Sequence, residues 1–239
     1  MIDRSGLRLG AAAGILYAVL VVAGFVVGAV STGGPLATLD SSDEVILAQL
    51  ERPSSVWAWV GIYCMVVGSL LFVAFTARLW ATLRRAEGAP GLVSNAAFGS
   101  GVLYVGITLM SLVFIGAKRL AAGRDIDIEL ARVVHTLNVG TYMASWGAAA
   151  LLLATTAAVV LATRVLPRWL GGSAAALAVA LLVTMAVPTF GLAPMPPFLF
   201  TLWVLVAAIV LLRRSSDLPE QAAATRGIEQ PSARAEVLR

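Results

Sequence analysis

Apolar residues run along this chain in long blocks that no charge interrupts. Residues 9–39, 53–77, 88–117, 133–163 and 169–212 contain no Asp, Glu, Lys or Arg, and about 20 apolar residues are enough for a helix to cross a bilayer core. The last block is long enough for two crossings and is broken by Pro188, Pro194, Pro196 and Pro197, residues that end helices. The pattern therefore predicts six membrane-spanning helices, near residues 9–30, 56–75, 96–116, 135–162, 170–187 and 198–212. Within the first long loop, Ser42 precedes Asp43 and Glu44 and then an apolar run, the signature of a short capped helix. It is expected to lie on the membrane surface over the outer mouth of the bundle. From residue 214 to 239 the chain turns polar and charged, which predicts a disordered tail.

Inside the blocks, the placement of small and polar residues distinguishes helix faces. Gly10, Gly14, Tyr17, Val21, Gly24 and Gly28 recur at spacings of three and four and form one face where a neighbouring helix can approach closely. Tyr104, Thr108, Ser111 and Lys118 form a polar stripe on the third span. On the fourth, His135, Asn138, Tyr142 and Ser145 fall within roughly an 80° arc of the helix. One tyrosine occurs in each of the first four spans, and buried phenols call for partners, so the interior is expected to carry scattered polar groups.

Composition agrees with this pattern. Hydrophobic residues make up 59% of the chain and charged residues 13%, with a mean hydropathy of +0.90. The fold class is an all-α membrane protein, a six-transmembrane-helix bundle. Charge then sets its orientation. With both termini cytoplasmic, the inner side holds Arg4, Arg8, Arg78, Arg84, Arg85, Arg164, Arg168, Arg213, Arg214, Arg226, Arg234 and Arg239, and the outer loops hold Arg52, Lys118, Arg119, Arg124 and Arg132. The positive-inside rule selects this arrangement. The basic pI thus reflects topology, and no nucleic-acid partner is expected. Cys64 is the only cysteine and forms no disulfide within the chain.

Two turns assigned to the cytoplasmic side, Arg84-Arg85-Ala86-Glu87-Gly88-Ala89-Pro90-Gly91 and Leu166-Pro167-Arg168-Trp169-Leu170-Gly171, together with six short-looped spans, resemble a broad group of bacterial multi-pass membrane proteins classed as a domain of unknown function. The resemblance covers most of residues 1–213. It implies the six-helix architecture and a bacterial cytoplasmic membrane, and it brings no reaction with it.

Candidate chemistry gathers on the two polar stripes. His135, Asn138, Tyr142 and Ser145, with Tyr104, Thr108 and Ser111, either hydrogen-bond neighbouring helices together or line a polar cleft that opens outward toward a lipid-like or small amphipathic ligand. His135 carries the most weight, because ionisable groups inside a membrane are usually functional. The acidic run Asp125-Ile126-Asp127-Ile128-Glu129 reads as a solvated ion-pair network with Arg124 and Arg132. The alternative function is an intramembrane enzyme acting on an isoprenoid or lipid, with His135 as acid or base assisted by Asp125, Asp127 or Glu129. A third reading is an assembly subunit that binds a membrane-protein partner or dimerises through the glycine face of the first helix. A single histidine excludes a bis-histidine haem, the acids lack zinc-ligand spacing, and no metal or cofactor is expected. Mid-membrane acids of the kind that couple transport to protons or sodium do not occur.

Overall fold

The computed structural model describes residues 4–32, 41–51, 55–121, 127–186 and 197–214, and these are helical apart from short connections. The helices are α1 (Arg4–Thr32), α2 (Asp43–Glu51), α3 (Val56–Glu87), α4 (Leu92–Ala121), α5 (Ile128–Thr163), α6 (Arg168–Ala186) and α7 (Pro197–Arg214). All except α2 are long and apolar enough to span a membrane. The six predicted spans correspond to α1 and α3 through α7, and most helices run beyond the apolar run. In particular, α3 continues through Arg78, Arg84 and Arg85 to Glu87, and α5 begins two turns ahead of His135. The predicted tail and the hairpin through Pro194 lie outside the described residues.

Local chemistry sets the helix ends. Ser55 caps α3 by accepting the Ala58 amide at 3.2 Å, and Asp127 caps α5 by accepting that of Glu129 at 3.1 Å. Helix α4 is capped from outside its own sequence. The Glu87 carboxylate accepts the Val93 and Ser94 amides at 3.0 and 2.8 Å and also the Ser94 hydroxyl, across a turn in which Gly88 and Gly91 both have positive φ. Most Ser and Thr hydroxyls inside the helices donate to a carbonyl one turn back, as Ser69 does to Met65 and Thr76 to Phe72, which satisfies them without a neighbouring helix.

Helices α1 and α3 pack antiparallel through glycine. A Cβ on Gly24 would lie 2.7 Å from the Gly61 carbonyl oxygen, and one on Gly61 would lie 2.9 Å from that of Gly24. Farther along, a Cβ on Gly14 would meet Phe75 at 2.5 Å and Ala208 of α7 at 2.8 Å, and one on Gly10 would meet the Arg78 Cβ at 2.7 Å. The close-approach face predicted for the first helix is therefore occupied within the chain, along most of its length, by α3 and α7.

The most deeply buried span is α5, which packs against α2, α3, α4 and α6. The last helix also reaches the interior. Phe200, Trp203, Val204, Ala207, Ala208 and Leu211 are buried, Phe200 packs against Phe72 and Tyr104, and the Trp203 indole donates to the Leu170 carbonyl at 3.3 Å. The start of α1 meets the Arg78 region of α3, and Arg214 donates to the Val165 carbonyl in the turn between α5 and α6. The first helix's start, the last helix's end and the arginine-bearing turns thus share one end of the bundle, called here the arginine end.

Candidate functional site

Of the predicted site residues, those on α4 and α5 come together because the two stripes face each other. At the end opposite the arginines, the Lys118 ammonium lies 3.2 Å from His135 Nδ1. An ammonium has only donors, so Nδ1 accepts and the ring proton sits on Nε2. Lys118, half-buried, turns toward the imidazole, which is only 2% exposed. One turn deeper, the Asn138 amide donates to the Ser111 carbonyl and hydroxyl, both at 3.0 Å, and the Ser111 hydroxyl faces the Asn138 carbonyl at 3.3 Å. At this end the seam is joined by side-chain hydrogen bonds between α4 and α5.

Helix α2 lies over this end. Ile46 is buried against Ala131 and Ile128, and Asp43 forms a bidentate ion pair with Arg132, its nearest approach 2.5 Å. The short helix predicted in the first long loop is thus present and packed on α5. Arg132 pairs with Asp43 of α2, whereas the sequence had suggested the acids just ahead of it, because α2 brings its acidic first turn against α5. Asp127 acts as a helix cap, Glu129 is exposed, and Asp125 lies outside the described residues. Among the described residues, no group of three or more His, Cys, Asp or Glu side chains could hold a metal.

Deeper in the bundle the seam changes character. The Tyr104 hydroxyl lies 3.0 Å from that of Tyr17 on α1, inside a ring cluster with Phe72 and Phe200. Tyr142 meets Trp146 edge-to-face at 5.4 Å, with the Tyr104 and Tyr17 phenols in its neighbourhood. Thr201 of α7 stands beside the Tyr17 hydroxyl. Thr108 stands beside that of Tyr104. Ser145 is buried and donates to the carbonyl of Tyr142 at 2.6 Å, on its own helix. Two atoms in this group, Thr108 Oγ1 beside the Tyr104 hydroxyl and Trp146 Nε1 beside that of Tyr142, are buried without a contact of good hydrogen-bond geometry. Leaving such a group unsatisfied costs about 1–3 kcal/mol.

Tyr17, Thr201 and Trp146 belong to this cluster and were not among the sequence candidates. The signal for Tyr17 was its place in the middle of the glycine face, which forces the phenol into the bundle. Tyr63, expected inside with the other tyrosines, is instead 65% exposed, because Gly61 and Gly68 take the face of α3 that contacts α1. Compared with family models, curated proteins and solved structures, the chain matches none.

Proposed function

We propose that this is a multi-pass protein of the bacterial cytoplasmic membrane, both termini cytoplasmic, that binds a lipid-like or small amphipathic molecule between α4 and α5. The orientation rests on the arginine asymmetry and the positive-inside rule. The arginine end is then cytoplasmic, and the Lys118–His135 end is external.

The observation that carries the binding reading is that Thr108 Oγ1 and Trp146 Nε1, buried beside the Tyr104 and Tyr142 hydroxyls, make no hydrogen bond of good geometry to them. Buried polar atoms in folded proteins are nearly always hydrogen-bonded, and in lipid no solvent is at hand to complete them. A hydroxyl or headgroup oxygen of a bound amphipath would supply what both atoms lack. Tyr142 is 36% exposed and lies about 10 Å below His135 at 1.5 Å per residue, so the ligand enters beside its ring from the outer leaflet.

The test uses Thr108→Val, which keeps the shape of the side chain, and Trp146→Phe, which removes the indole N–H together with some volume, with lipid extracted from the purified full-length protein and measured by mass spectrometry. The reading requires a co-purifying amphipath that the double variant loses while remaining folded. Unchanged lipid content together with a raised melting temperature would mean that the two atoms are packing defects relieved by apolar replacement, and the proposal would fall.

A further inference from the structure

A second unsatisfied group lies nearer the arginine end, one to two turns along α3 from Phe72 of the phenol cluster. Arg78 is only 8% exposed, and its Nε has no hydrogen-bond partner. It lines a groove of ≈ 580 Å³ between α1 and α3, whose walls include Leu9, Ala12, Leu16, Leu71 and Ala74. No acidic residue lines the groove among the described residues. The missing Cβ of Gly10 is what lets α1 lie against the stem of Arg78.

Depth along α3 places this cation at a membrane interface. Trp57 and Trp59 mark the outer end of the helix, and Arg78 follows Trp57 by 21 residues, about 31 Å at 1.5 Å per residue. That distance matches a hydrocarbon core about 30 Å thick. Trp80 sits at the same level, its indole donating to Asn95 at 3.0 Å. A guanidinium at headgroup depth above an apolar channel, with Arg85 adding like charge nearby, is complementary to a phosphodiester that carries an acyl chain.

We propose that the groove between α1 and α3 is a binding site for an anionic phospholipid, with Arg78 holding the phosphate and the apolar walls taking one acyl chain. It is separate from the α4/α5 seam and stands or falls independently of it.

The test is native mass spectrometry of the full-length protein, released from detergent after incubation with phosphatidylglycerol or phosphatidylcholine of equal chain length. The protein is expected to retain phosphatidylglycerol about tenfold better, the size of one charge-assisted hydrogen bond. Arg78→Gln should erase that preference, and Arg78→Lys, which keeps the charge without the planar fork, should retain part of it. Ala12→Trp fills the groove from its open wall, leaves Arg78 intact and should lower retention of both lipids. Equal retention of the two lipids by the unaltered protein, or a preference that survives Arg78→Gln, would overturn the proposal. So would efficient displacement of phosphatidylglycerol by inorganic phosphate, because the acyl chain would then contribute nothing.

Discussion

Helices α1 and α3 meet through glycine, whereas α4 and α5 meet through hydrogen bonds. In the first seam, the Gly24 and Gly61 backbones come so close that neither has room for a methyl group. In the second, side chains link the helices through Asn138–Ser111 and Lys118–His135. Lipid tails are as apolar as leucine, so neither seam gains from hydrophobic burial in the way a soluble core does. The glycine seam relies on close van der Waals contact, which is intolerant of added volume. The polar seam relies on pairing, which is intolerant of a missing partner.

The strongest way to break the comparison is to add volume to the glycine seam. Gly24→Leu should destabilise the protein by about 3 kcal/mol or more, at the upper end of overpacking costs, read as a large drop in melting temperature in detergent. Gly28→Ala on the same helix, where a Cβ meets nothing within 4 Å, should change it little. If both variants melt alike, close packing is not what holds α1 to α3.

The polar seam should respond more mildly. Asn138→Leu is expected to cost about 1–2 kcal/mol, since interhelical hydrogen bonds in membranes average well under 2 kcal/mol each. A double-mutant cycle with Ser111→Ala should return a coupling of about 1 kcal/mol; additive losses would show that the two side chains do not act as a pair. The smallest effect belongs to the clamp between α2 and α5. Asp43→Asn should cost about 0–1 kcal/mol, as for exposed ion pairs. Raising the ionic strength should shrink even that difference, and a salt-independent loss would point to a role of Asp43 other than pairing with Arg132.

How much of this was legible in the sequence follows from what a lipid solvent rewards. The spans were readable because charge is excluded from long runs, and the faces of α1, α4 and α5 were readable because glycine and polar residues mark them at helical spacing. Which apolar residues face inward was not readable. Val19, Leu70 and Leu103 are more than half exposed while Leu152, Leu153 and Leu170 are fully buried, and hydropathy ranks these groups alike. For the same reason Tyr63 and Tyr17 looked equivalent, although one faces outward and the other forms the centre of the phenol cluster. The turn of Lys118 toward His135 and the pairing of Arg132 with Asp43 depend on contacts between distant segments. No helical period in one segment encodes them.

The position of the last helix bears on how the protein is made. A chain delivered to the membrane from its N-terminus presents α7 only after all other spans are in place, yet Phe200 and Trp203 of that helix complete the packing around Phe72, Tyr104 and Leu170. Until translation passes residue 197, those groups face acyl chains or one another. The packing of α1, α3, α4 and α6 is therefore completed only when α7 arrives, and polypeptides cut short before α7 should be cleared by quality-control proteases even though five spans are already threaded.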